Sequence, residues 1–149
     1  MSHRVAILCT VLIVAVFAPA RAADGEKDDK KTAQGTWAYE TLEWNGKKIP
    51  FNQIKMTTVT FDGDKFAIKI GDKVVSSGTH KFDATKSPRT FDGTVTEGEG
   101  RGTTMLGIYK FDGDTLTGCV NLTGRERPTE FKTAENSETV LVTAKRMKK

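Results

Sequence analysis

Eight short runs of β-type residues, separated by turn signals, constrain this chain more than any other feature. They fall at roughly 36–44, 56–62, 65–71, 73–82, 89–96, 103–112, 115–122 and 138–146. No long stretch has helical periodicity. Many short strands at even spacing are what an antiparallel barrel or sandwich requires, so the chain reads as all-β. Ile49-Pro50-Phe51 reads as the start of a short helical segment after the first run.

Two of the junctions repeat. Thr60-Phe61-Asp62-Gly63-Asp64-Lys65 and Lys110-Phe111-Asp112-Gly113-Asp114-Thr115 share Phe-Asp-Gly-Asp. Paired carboxylates around a glycine raise the question of calcium. The spacing of a calcium loop, with its distal glutamate, is missing. A two-residue hairpin loop with Gly63 or Gly113 at its first central position, a type II′ turn, explains both copies better. It sets Phe61 opposite Phe66, Val59 opposite Ile68 and Thr57 opposite Ile70. In the second copy Phe111 faces Leu116, Tyr109 faces Gly118 and Met105 faces Leu122. A one-residue slip would send the apolar set to the other side of the sheet, so the buried face selects this register. The last run also alternates. Val140, Val142, Ala144 and Arg146 share a face, which leaves Leu141 as an apolar exception on the other. An apolar face that ends in arginine needs a partner for the charge.

The ends of the chain are not barrel. Residues 1–22 read as a secretory signal peptide: Arg4, then the 13-residue apolar run Val5–Phe17 broken only by Thr10, then Ala20-Arg21-Ala22 as a cleavage site before Ala23. The run is well short of the roughly 20 residues of a spanning helix, so no stable membrane insertion is expected after cleavage. Ile7 and Leu8 are too large for a lipidation site at Cys9. Residues 23–34 are almost wholly polar and read as a flexible charged leader, with room for one short helical turn before Gly35. The barrel domain is then 35–149. Cleavage leaves 127 of 149 residues, enough to bury on the order of two-thirds of the unfolded surface without disulfides. Cys119, the one cysteine left, reads as a buried small hydrophobe. Loss of Arg4 and Arg21 takes Lys+Arg from 23 to 21 against 19 Asp+Glu, a net charge of +2. The basic residues are interspersed with acidic ones, and no basic stripe points to nucleic acid. The basic tail from Lys145 to Lys149 reads as a solvated terminus.

Gly35-Thr36-Trp37 opens the first strand and Arg146 closes the last. This resembles the lipocalin arrangement, in which an early Gly-x-Trp and a late Arg meet at the closed end of an up-and-down barrel. The match is closer to one lipocalin-like family of small exported proteins, found mainly in planctomycete bacteria and without an assigned activity. It rests on Gln34-Gly35-Thr36-Trp37, Pro88 with Asp92, the stretch from Gly107-Ile108-Tyr109 to Thr115-Leu116, Cys119, Arg127-Pro128-Thr129-Glu130-Phe131 and Arg146. His80 departs from it, standing where an aromatic residue is expected. The resemblance implies an eight-stranded antiparallel lipocalin-like barrel, with Gly35, Trp37, Arg146, Gly63 and Gly113 in structural roles. It implies no substrate.

No residue set makes a convincing active site. His80 and Cys119 cannot by themselves build a metal site. No Gly-x-Ser-x-Gly elbow accompanies Ser76 or Ser77. His80 reads as a partly exposed strand residue without the partners of an acid–base group. Gly93–Gly102 is glycine-rich but precedes no helix, so it reads as a mobile loop between the fifth and sixth strands rather than a phosphate cradle. Arg127–Phe131 reads as a packing element, with Phe131 in the core and Arg127 paired to a carboxylate. Residues expected to line a pocket are Phe61, Phe66, Ile68, His80, Met105, Tyr109, Phe111 and Leu116. They are large, and an eight-stranded barrel holds side chains or one small ligand. The expected function is therefore an exported, non-enzymatic binding module, a monomer in the periplasm, the envelope or the medium. It needs no cofactor and no metal. Its expected partner is a small apolar ligand or, with a filled core, an envelope protein.

Overall fold

The computed structural model describes residues 29–148. The signal-peptide reading of 1–22 and the leader at 23–28 lie outside the described residues. Helix α1 covers 29–33. It is followed by β1 (Gly35–Trp44), β2 (Lys47–Lys48), α2 (Phe51–Ile54), β3 (Thr57–Asp62), β4 (Lys65–Ile70) and β5 (Lys73–Asp83). Strands β6 (Arg89–Gly98), β7 (Thr104–Asp112), β8 (Thr115–Asn121) and β9 (Thr139–Arg146) complete the fold. Pro50, barred from a helix interior, stands just before α2 as its N-cap residue.

Eight strands pair antiparallel in the order β1-β3-β4-β5-β6-β7-β8-β9, and β9 returns to pair with β1. The chain is thus a closed all-β barrel of lipocalin-like, up-and-down type. Strand β2 is a two-residue flap on the far end of β1. Closure leaves no free edge along the eight barrel strands, which protects a sheet of this length from edge-to-edge association.

The two repeated hairpins have the register that the buried face demands. Phe61 pairs with Phe66, Val59 with Ile68 and Thr57 with Ile70. Phe111 pairs with Leu116 and Tyr109 with Gly118. The backbone φ is +59° at Gly63 and +58° at Gly113, while Asp64 and Asp114 keep negative φ. One positive φ, at the first central residue, is the mark of type II′. Leu141 pairs with Cys119 on the outside of the barrel. There the segment 122–138 folds back over β7 and β8, so an outward leucine has an apolar neighbour. Ile108 and Cys119, both outward, are fully buried beneath that segment.

Residues 29–34 are not a free leader. They form a plug across one end of the barrel. Ala33 is fully buried, and its carbonyl accepts a hydrogen bond from Trp37 Nε1 at 2.8 Å. Arg146, paired across the strands with Trp37, lies 4.3 Å over the indole. It also donates to the carbonyls of Gln34, at 2.9 Å, and Thr32. A stacked Arg–Trp contact of this kind contributes about 0.5–2 kcal/mol. Gln34 and Gly63 exchange hydrogen bonds, with Gly63 N donating to Gln34 Oε1 at 2.7 Å. Lys30 pairs with Asp64 at 2.7 Å. Asp29, buried despite its charge, accepts from Tyr109 Oη at 2.7 Å and from Arg89 Nη1 at 2.9 Å. The polar composition of 23–34 hides this, because the partners that order α1 all lie in distant strands.

The glycine-rich stretch also differs from its sequence reading. Gly93 to Gly98 belong to β6, and only a short turn at 99–103 links it to β7. Gly93 faces inward, where a Cβ would come within 2.8 Å of Met105 Cε. Here glycine makes room for a neighbour's side chain inside the barrel.

Candidate functional site

Inward residues divide the barrel interior into two levels. Near the plug the lumen is filled by rings. Trp37 and Phe111 have centroids 5.6 Å apart, Phe82 and Tyr109 4.7 Å, and Phe61 and Phe82 5.3 Å. Most of these contacts are edge-to-face or tilted, the arrangement that suits aromatic quadrupoles.

Above that floor a cavity of about 110 Å³ opens towards the other end. Its lower wall is Phe61, Phe66, Phe82, Phe91, Tyr109 and Leu116. Its upper wall is Tyr39, Ile68, Met105, Val120, Leu122, Val140 and Val142. Several upper residues are half-buried, so the space reaches the mouth. One residue explains why it is there. Gly118 occupies an inward position on β8 between Leu116 and Val120 and contributes no side chain. A Cβ at Gly118 would meet only Val142 Cγ1, at 3.6 Å. The space is a missing side chain in an otherwise packed wall.

Six of the eight residues expected to line a pocket do so: Phe61, Phe66, Ile68, Met105, Tyr109 and Leu116. Phe111 and His80 do not. Phe111 sits lower, tilted against Trp37 in the aromatic floor. His80 faces inward but is caged by Phe61 at 4.9 Å and Phe82 at 5.1 Å, with Phe91 and Phe66 beyond. It is 9% exposed, and its buried Nδ1 has no hydrogen-bond partner among the described residues. It takes the aromatic place in that strand. Val140, Val142 and Ala144 on β9, together with Gly118, complete the wall. The alternation of β9 and the facing of Tyr109 by a glycine were the signals for them.

The lining is almost without polar atoms. Burial pushes the Tyr39 phenol up to about 12, and raises that of Tyr109 further, aided by its hydrogen bond to the Asp29 carboxylate. Both phenols stay protonated across the physiological range. That of Tyr109 is committed to the plug. Such a space offers dispersion and desolvation and no general base. Among the described residues no three His, Cys, Asp or Glu side chains gather as a metal site would require.

The Arg127 segment packs on the outside. Arg127 Nη1 donates to the carbonyls of Phe91 and Gly107, at 3.0 and 2.8 Å, and Nη2 pairs with Asp92. Phe131 is not in the barrel core; it lies on the outer face, with Lys110 Nζ 4.7 Å from its ring centroid. The 122–138 connection is too long to close a hairpin directly, so it lies on the wall, and its aromatic anchor goes with it. Cys119 Sγ beneath this segment donates to the Lys132 carbonyl, and burial pushes its thiol up. It is a packed group rather than a reactive one.

Fold and lumen together define a small lipocalin-like barrel, plugged at one end and apolar within. No family model, no curated protein and no solved structure matches the chain.

Proposed function

We propose that this protein is an exported, non-enzymatic binding module of the planctomycete-type lipocalin-like family, whose lumen takes a small apolar ligand or the apolar end of a larger one. The observation that carries the reading is the apolar cavity above the aromatic floor, left open by Gly118. An apolar cavity on the order of 150 Å³ stays dry and accepts benzene. The present space is of that order. Export rests on the signal-peptide pattern of residues 1–22, and family membership on the motifs from Gln34 to Arg146.

The ring-filled lower half of the lumen favours a second reading. In it the barrel is a rigid scaffold for contacts with an envelope or extracellular protein, and no small molecule enters. Titration with benzene, followed by methyl NMR, separates the two. The first reading expects saturable shifts at Ile68, Leu116 and Val142, and their loss in Gly118→Val, whose side chain fills the space. Shifts that never saturate, or that persist unchanged in Gly118→Val, would favour the scaffold.

A further inference from the structure

Two tyrosines line the lumen, and each is paired across the sheet with a small residue. Tyr109 on β7 faces Gly118 on β8, and Tyr39 on β1 faces Ala144 on β9. Their hydroxyls differ. That of Tyr109 donates to Asp29 Oδ2 at 2.7 Å and is used up on the plug. No hydrogen bond acts on that of Tyr39; burial alone pushes it up to about 12. Nor is the Tyr39 oxygen sealed in. Among the described residues His80 Nδ1 is the side-chain polar atom that is both fully buried and unpartnered, so Tyr39 Oη keeps open space before it. The space that Tyr39 lines is the lumen.

Strand β1 is irregular at this place. Its register against β9 slips between Tyr39 and Thr41, leaving Glu40 as an extra residue. Without the slip, Thr41 would follow Tyr39 onto the inner face. With it, Thr41 turns out and shares a hydrogen bond with the Thr143 hydroxyl at 2.5 Å, while Leu42 pairs with Val142. Bulges of this kind re-aim side chains and gather beside functional sites. The rest of the lining is hydrocarbon, apart from the Met105 thioether, which is a weak acceptor and no donor. No charged side chain lines the space among the described residues, so an ionic ligand would lose its hydration and gain no counter-charge. A protonated phenol in such surroundings is a hydrogen-bond donor in search of an acceptor.

We propose that Tyr39 determines the specificity of the lumen, and that the ligand is a small neutral molecule with an apolar body and one hydrogen-bond acceptor, such as a ketone or ester oxygen, to which Tyr39 Oη donates. The inference rests on the reading of the lumen as a binding site and narrows it. A few placed polar groups in an apolar pocket are what orient a ligand and discriminate between ligands. Here the body of the ligand would lie in the space left by Gly118, and its acceptor would point to β1.

The test compares acetophenone with α-methylstyrene, in which a CH2 group replaces the ketone oxygen and the shape is kept. Each is titrated into the protein and into Tyr39→Phe, with the methyl resonances of Leu116 and Val142 reporting occupancy of the lumen. Tyr39→Phe removes one oxygen that holds nothing in the fold, so the variant keeps its structure. It is expected to lower the affinity for acetophenone about fivefold, the equivalent of about 1 kcal/mol for a neutral hydrogen bond, and to leave that for α-methylstyrene unweakened. The carbonyl resonance of 13C-labelled acetophenone should move downfield on binding to the wild type and stay in place with Tyr39→Phe, a change that altered shape alone would not produce. Equal losses for both probes, an unmoved acetophenone affinity, or tighter binding of the benzylamine cation than of acetophenone would overturn the proposal. If benzene saturates the lumen and acetophenone does not enter it, the inference falls and the binding reading stands. If benzene too fails to saturate, the binding reading falls and takes the inference with it.

Discussion

His80 shows how a single side chain can be placed on the right face and at the wrong depth. Alternation along β5 puts it with Phe82 inside the barrel, and its register partner Gly93 leaves it room. Alternation says nothing of how many rings will close around it, so the sequence gives no warning that it is caged rather than cavity-lining. The cage has a consequence. Desolvation holds the imidazole below its ordinary value. Of the charges nearby, Asp64 favours the proton and Lys30, paired with Asp64, opposes it. The neutral form is therefore preferred in the fold. In the unfolded chain protonation begins near pH 6.5. Stability is accordingly full above about pH 6.5 and declines as pH falls from there to the folded value, because the unfolded state binds the proton first. Denaturant midpoints measured against pH should show this decline, and His80→Phe should flatten it. An equal decline in His80→Phe would assign the acid sensitivity to other groups.

At the level of elements, the hairpins were legible and the plug was not. A two-residue loop is a local object. Its turn type, its glycine and the facing of Phe61 with Phe66 and Val59 with Ile68, or of Phe111 with Leu116, follow from about ten contiguous residues around Gly63 or Gly113. Helix α1 is the opposite case. Nothing in residues 29–34 is apolar enough to announce burial except Ala33. What orders them is a set of long-range polar contacts: Asp29 with Tyr109 and Arg89, Gln34 with Gly63, and the carbonyls of Thr32 and Gln34 with Arg146. The 122–138 connection is illegible for the same reason. Arg127 pairs with the Asp92 carboxylate as its sequence context suggests, but the wall it clamps is not legible in its own segment. A Cβ at Gly113 would meet nothing within 4 Å, so any cost of Gly113→Ala is backbone strain alone. It should destabilise by about 1 kcal/mol or more, the penalty of a positive φ for an L-residue. Benzene affinity should not change, since the turn is at the plugged end. Equilibrium unfolding of Gly113→Ala at wild-type midpoint would contradict the turn assignment.

On the scale of the whole molecule, residues 29–34 close one end of the barrel, and the cavity opens towards the other. β1 and β9 meet, and at their junction Trp37 and Arg146 tie the first strand, the last strand and the plug into one unit. The inward residues step from Trp37 and Phe111 at the bottom, through Phe82, Phe61 and Tyr109, to aliphatic walls at the top. The gradient from rings to aliphatic side chains leaves a gap where Gly118 interrupts it. Six of the eight expected lining residues fall on that gap because period-two alternation is reliable in paired strands. The size of the gap could not be read, since it depends on how eight strands close at once. The central claim is that this gap is a real, dry, accessible space. A crystal pressurised with xenon tests it most directly, since xenon enters apolar cavities and is seen without a chemical label. The account predicts a single strong xenon peak between Gly118, Val142 and Tyr39, absent from crystals of Gly118→Val. A pressurised wild-type crystal with no xenon inside the barrel would show the lumen to be filled, and would contradict the claim.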